Sequence, residues 1–323
     1  MLAITFTPDG AIALVERPTP EPGPAQVRVR VRAAGLNRAD LLQRRGGYPA
    51  PPGWPADIAG LEYAGLVEAL GRDAAETGWR PGDRVMGLVG GGAQAEFVVV
   101  NADEVLPVPA GLSFEEAAAI PEAFLTAWDA LVTRGRTAAG ERVLIHAIGS
   151  GVGTAAVQLA RRLGAEPVGT ARSAWKLERA MPLGLAEGID TRQGGFRERL
   201  RAPVNVILDV LGGAAFADNL ASLAPRGRLV LLGLLQGAAA EAPLELVLRR
   251  RLEVIGTVMR TRSAEERAAL VRDFRTRVLD GFSADAGRRL LPIVGGVWPM
   301  TDLAAAHTAL EGNTIFGKAV VTW

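Results

Sequence analysis

The sequence predicts an α/β protein: a β-rich, barrel-like front followed by a doubly wound parallel sheet. Three observations carry this reading. Short strands with two-residue alternation fill the first third, and strands and helices alternate from Ser113 onward. The stretch "VLIHAIGSGVGTAAVQLA", Val143 to Ala160, joins a β-branched run to a helix through a cluster of small residues.

In the front, "IALVERP" and "AQVRVRVRAAG" read as strands. Val27, Val29 and Val31 point one way and Arg28, Arg30 and Arg32 the other, which predicts a solvated arginine face. "DRVMGLV" and "AQAEFVVVNADEVLPVP" continue the theme, separated by turns such as "TPEPGP" and "RPGDR". "SFEEAAAIPEAFLTAWDAL" then predicts one helical stretch, with Ser113 and Glu116 as a capping box. Strands follow at "RVLIHA", "AEPVGTA", "VNVILDVLG", "GRLVLLGLL" and "LEVIGTVM". Helices are expected at Gly151 to Leu163, "AWKLERAM" and "AFADNLASLA". "SAEERAALVRDFRTRVLDG" is a further helix, capped by Ser263 and Glu266, and the tail reads strand, helix, strand. "LEVIGTVM" falls late in the sheet and is expected at its edge, where pairing with a second copy would cover it; a homodimer is expected.

Composition narrows the function. The chain has 323 residues, about half of them apolar, with 36 basic against 35 acidic residues and a net charge of +1. Nothing global attracts a nucleic acid. No apolar run is long enough to span a membrane, and the N-terminus lacks the pattern of a signal peptide, so a soluble cytoplasmic protein is expected. Cysteine is absent, which removes disulfides, thiolate zinc sites and cysteine nucleophiles. With two histidines and no close carboxylate cluster, no metal site is expected.

The glycine-rich stretch follows a strand and opens a helix, the place where a dinucleotide pyrophosphate meets unpaired N–H groups and a helix dipole. Gly151, Val152 and Gly153 stand in this turn; Gly153 takes the helix–strand packing position and Gly149 is expected to relieve the turn. A merely tight strand–helix turn is the other reading. The next strand ends in "VGTARSAWK", with no acid to bond a ribose hydroxyl. Arg172, Ser173 and Lys176 suit a 2′-phosphate, so NADPH is preferred over NADH; ordinary surface charges are the alternative.

In this order "GLNRADLLQRRGGYPAPPG", "GLEYAGLVEALG", "GGGAQAEFVVV", "AAAIPEAFLTAWDAL", "LIHAIGSGVGTAA", "LLGLL" and "GKAVV" make the chain resemble the zinc-free quinone oxidoreductase branch of the medium-chain dehydrogenase/reductase superfamily. The resemblance implies a Rossmann-type doubly wound sheet inserted in a β-rich GroES-like domain: residues 1–122 and 261–323 form the catalytic domain and 123–260 the NADPH domain. Zinc dehydrogenases of the superfamily carry Gly-His-Glu where this chain has Gly60-Leu61-Glu62. The chemistry then expected is hydride delivery from NADPH to a quinone. An enone or enoyl-thioester reductase, or a nucleotide-binding protein with little turnover, are the alternatives.

The resemblance also implies site residues. Tyr48, in "GGYPAPPG", faces the nicotinamide and quinone and hydrogen-bonds the acceptor carbonyl, or is an aromatic plug under its loop. Ser150 touches the cofactor and is the second catalytic candidate, or is a small residue tolerated by the turn. Asn37 lines the nicotinamide pocket, or only caps its helix together with Asp40. Thr126 approaches the nicotinamide, or bonds its own helix backbone. Gly233, Leu234 and Leu235 end one strand and Val258 and Met259 the next, with backbone partners for the nicotinamide amide. Lys318 approaches the cofactor or is solvated, and Arg192 adds charge near the adenosine phosphate. His146, inside an apolar strand, is read as a satisfied core residue.

Overall fold

The computed structural model describes residues 1–7, 9–283 and 288–323. The chain divides into two compact units, Met1–Leu125 with Arg260–Trp323, and Thr126–Met259.

The first unit is built on a seven-stranded sheet. Its path runs Val294–Pro299, Lys318–Thr322, Gln26–Leu36, Glu62–Leu70, Arg84–Leu88 and Val105–Pro107, and Phe97–Asn101 also pairs with Gln26–Leu36. Every pairing is antiparallel except that of the first two strands. The alternation in Gln26–Leu36 does what its period demands: Val27, Val29 and Val31 are buried in the core of this unit. Its other face is largely solvated, as expected, with Arg30 and Arg32 exposed. Arg28 is half-buried and held by Glu68 at 2.5 Å and Glu21 at 2.9 Å, and Arg30 lies over the Phe97 ring of the neighbouring strand.

The second unit is a six-stranded sheet, all parallel, in the order Glu187–Asp190, Glu166–Ala171, Arg142–Ile145, Val204–Asp209, Leu223–Leu231, Glu253–Gly256. In chain order that is 3-2-1-4-5-6, so the order reverses between Arg142–Ile145 and Val204–Asp209. Glu253–Gly256 is the edge strand, as expected.

Four local expectations are corrected. The helix begun at Ser113 is broken: Phe114–Ala118 stops, Pro121–Trp128 restarts, and a π turn covers Asp129–Arg134. Pro121 has no N–H to continue the first helix and instead opens the second. The strand expected to end at Gly233–Leu235 ends at Leu231, and the one expected to reach Met259 ends at Gly256. Leu234, Leu235 and Val258 are exposed apolar residues beyond these strands. A helix at Leu244–Arg250 was not expected.

Candidate active site

Because all six strands of the second unit are parallel, the segments that follow them gather at one edge of the sheet. Ala147–Gly153, Arg172–Ser173, Gly233–Leu235 and Thr257–Met259 all follow strand C-termini there. Open sheets bind their ligands at this edge, beside the reversal of strand order.

The cradle is built residue by residue. Ala147 turns the chain out of its strand at φ 51°. Ser150 caps the twelve-residue helix Gly151–Arg162, its Oγ accepting the Gly153 N–H at 3.0 Å. The N–H groups of Gly151 and Val152 remain at the helix head, where the dipole favours an anion. A Cβ on Gly153 would lie 2.6 Å from the carbonyl oxygens of Ala147 and Ile148, so only glycine lets helix and turn close. Gly149 has another task than the one expected. The left-handed turn falls on Ala147, and a Cβ at Gly149 would meet the Lys176 stem at 2.5 Å.

Lys176 is accordingly no ordinary surface charge: it is 4 % exposed, laid over Gly149, with its ammonium 5.3 Å from the Trp175 ring. Arg172 is exposed at the end of Glu166–Ala171, and Ser173 is the N-cap of Ala174–Ala180. Arg192 is committed elsewhere. It forks onto Asp190 at 2.6 Å and, by that bond, holds the carboxyl down at about 2. Thr126 lies in the helix Pro121–Trp128 with its hydroxyl oxygen buried and without a hydrogen-bond partner among the described residues, so the self-bonded reading fails. His146 is a satisfied core residue, as read: Nδ1 meets Thr170 Oγ1 at 2.9 Å and Nε2 meets Asn219 Oδ1 at 2.7 Å.

The first unit holds a different constellation. Glu62 begins a strand, Asn37 follows its neighbour and Lys318 begins the strand on the far side of that neighbour, so the sheet brings three distant segments together. Glu62 is fully buried. Its Oε1 is ion-paired with Lys318 Nζ at 2.5 Å and accepts from Asn37 Nδ2 at 3.0 Å, and its Oε2 accepts the Glu122 N–H at 2.8 Å, capping the helix Pro121–Trp128. Lys318 donates to Leu36 O at 2.7 Å and Asn37 Oδ1 at 2.6 Å. The lysine is thus buried and paired rather than solvated. Asn37 keeps one amide proton unspent. Its backbone N–H goes to Asp40 Oδ2 at 2.6 Å, and burial pushes Asp40 up to about 6.

Tyr48 is half-buried in the loop after the helix Arg38–Arg44. The Arg260 guanidinium stacks on its ring at 3.6 Å from the centroid. Arg260 was not singled out in the sequence; it lies 212 residues from Tyr48, and no local signal marks it.

The family whose description is alcohol dehydrogenase GroES-like domain matches residues 23–110, and the one described as zinc-binding dehydrogenase matches 151–274. The quinone oxidoreductase of Pseudomonas syringae pv. Tomato DC3000 is 28 % identical with a TM-score of 0.87, covering 100 % of this chain and 99 % of that one. The chain belongs to the medium-chain dehydrogenase/reductase superfamily, in its zinc-free, quinone oxidoreductase-like branch. Within this family the CurK enoyl reductase is also similar, at 27 % identity and a TM-score of 0.86 over 99 % of this chain and 98 % of that one. Quinone oxidoreductase-like protein 2 of Bos taurus is 34 % identical over 228 residues, 69 % of this chain and 64 % of that protein. The chain spans only 3 to 13 % of the polyketide synthases among its relatives.

Relatives of the chain are named as quinone oxidoreductases and enoyl reductases, which makes a nicotinamide cofactor the group to test against these residues. The cradle fits one: Gly153 is obligate and the helix head is bare of acids. A catalytic zinc, by contrast, does not fit these residues. Glu62 is taken up by Lys318, His146 by its two partners, and no cluster of three histidine, cysteine, aspartate or glutamate side chains exists among the described residues. No helix among them is long and apolar enough to cross a membrane.

Proposed function

We propose that the chain is an NADPH-dependent quinone reductase that works without zinc. The observation that carries the cofactor choice is the basic corner after Glu166–Ala171: exposed Arg172, the Ser173 cap and Lys176 over Gly149, with no carboxylate among them. A ribose 2′-phosphate gains charge-assisted hydrogen bonds there, whereas a bare ribose finds no carboxylate to accept from its 2′-hydroxyl.

When bound, NADPH supplies a hydride. The chain does the rest. The N–H groups of Gly151 and Val152 and the cap at Ser150 receive the pyrophosphate, and backbone groups of Gly233–Leu235 and Val258–Met259 receive the nicotinamide amide. Thr126 offers its unpartnered hydroxyl and Asn37 its remaining amide proton. Tyr48 donates a hydrogen bond to the acceptor carbonyl and so orients it. Lys318 acts through Asn37, fixing its amide, rather than on the cofactor. A quinone is already electron-poor, so positioning suffices where an alcohol dehydrogenase needs a Lewis acid.

Two titrations test this reading. Calorimetry with NADPH and NADH should show that Arg172→Ala weakens NADPH about tenfold or more while leaving NADH unchanged, since hydrogen bonds to charged groups are worth about 1.5–3 kcal/mol. Equal loss for both, or none, removes the phosphate argument. NADPH oxidation with an ortho-quinone should then exceed that with an enoyl thioester. The reverse order establishes the second reading, an enoyl-thioester reductase, which the likeness to the CurK enoyl reductase favours. Negligible turnover with both leaves a nucleotide-binding protein. We place the protein in the cytoplasm as a homodimer joined at Glu253–Gly256, beside exposed Leu244 and Leu248; a monomeric mass by light scattering contradicts the dimer.

A further inference from the structure

We propose that Arg260 is the positioning residue of Tyr48: its guanidinium packs against the phenol ring, ties down the backbone that carries it, and keeps a positive charge at the place where an acceptor oxygen gains negative charge. The inference rests on the reading that Tyr48 meets the acceptor.

Three observations support it. Arg260 Cζ lies 3.6 Å from the Tyr48 ring centroid, inside the range of a strong cation–π contact. Its Nη2 donates to Tyr48 O at 3.2 Å and also to Pro49 O, so one group of the fork clamps two successive carbonyls of a loop otherwise shaped by glycine and proline. The third is what the guanidinium leaves over. Nη1 is buried and has no acceptor among the described residues. A buried, unpaired N–H on a cation costs free energy unless an anionic or carbonyl oxygen arrives to take it. A lysine would supply the charge but neither the planar stack nor the double clamp.

The electrostatics agree with the geometry. Burial raises the Tyr48 phenol above its ordinary value, and Arg260 pulls it back down. Glu122 and Asp40, the other charged groups facing it, push it up. Arg260 is thus the one neighbour that makes the phenol a better donor.

The protein has two tyrosines, which makes this readable without any substrate. Tyr63 is fully buried, and burial raises it far above the accessible range. Phenolate absorbance on raising the pH therefore reports Tyr48 first; Tyr48→Phe should erase that step and so assign it. In Arg260→Gln the step should move up by one pH unit or more, and in Arg260→Lys by less. A step that stays put or moves down in Arg260→Gln overturns the proposal. Failure of that variant to fold transfers the decision to Arg260→Lys, where an unmoved step together with full turnover overturns it equally. On the activity side, Arg260→Gln should lower kcat with a quinone about tenfold and have no further effect in the Tyr48→Phe background. A shifted phenol step with unchanged kcat would uphold Arg260 as the partner of Tyr48 and remove Tyr48 from the reaction instead.

Discussion

Each unit buries a polar centre, and the two are built from opposite materials. In the Met1–Leu125 and Arg260–Trp323 unit the centre is ionic: a fully buried carboxylate, Glu62, faces the ammonium of Lys318 at 2.5 Å, with Asn37 hydrogen-bonded to both. In the Thr126–Met259 unit the centre is neutral: His146, its basicity lowered by burial, lies between the Thr170 hydroxyl and the Asn219 amide. An ionic centre repays its desolvation only while every partner is present, whereas a neutral one loses a single hydrogen bond at a time. The first unit thus holds Asn37 and the start of the helix Pro121–Trp128 rigidly, while the second holds a core strand in place and leaves its cradle to backbone.

The sharpest way to break the comparison is to leave Glu62 alone in the interior. Lys318→Met should cost about 3–5 kcal/mol, because an uncompensated buried charge remains. Denaturant unfolding measures it. Adding Glu62→Gln should recover most of the loss, since the amide oxygen still accepts the Glu122 N–H and no charge is left over. A single variant as stable as the wild type would mean that the ion pair is not what holds this centre.

Asp40 sharpens the comparison through pH. Its folded-state value of about 6 stands above the ordinary 3.8, so between those values the folded chain binds more protons than the unfolded one. Stability therefore falls as pH rises across this window, and the cost is carried in full above pH 6, at about 3 kcal/mol for a shift of about two units. Asp40→Asn keeps an acceptor for the Asn37 N–H and should raise the denaturant midpoint at pH 8, with the gain shrinking toward pH 4. A gain of equal size at both would show that charge burial is not its source.

The two units were unequally legible in the sequence. The cradle was readable because its parts are local: strand, turn, cap and packing glycine fall within one stretch, and Gly153 stands where it was expected. Even there Gly149 was misread, since the reason for it, the Lys176 stem, comes from the next helix. The strand ends were overrun at Leu231 and Gly256 because apolar runs continue into Leu234, Leu235 and Val258, which are exposed; hydrophobicity reports burial tendency, not ladder pairing. In the first unit Asn37 and Lys318 were named one at a time, and Glu62 only as the residue beside a missing histidine. Nothing in a one-dimensional pattern says that residues 281 positions apart exchange a 2.6 Å hydrogen bond. That fact belongs to the pairing of Lys318–Thr322 with Gln26–Leu36.

The smallest effect is expected in the neutral centre. Asn219→Ala removes the acceptor of His146 Nε2 and leaves that N–H buried beside Phe196, whose ring packs edge-on at 4.9 Å. A buried unpaired donor costs about 1–3 kcal/mol. Two features place the result at the low end. Asn219 Nδ2 has no partner among the described residues, so alanine relieves one unpaired group while creating another. His146 also keeps its bond to Thr170, which fixes the ring. Urea unfolding of Asn219→Ala beside Lys318→Met puts the two on one scale. A loss as large as that of the lysine variant would erase the distinction between ionic and neutral centres, because it would show that one neutral hydrogen bond in the sheet unit matters as much as a compensating charge in the other.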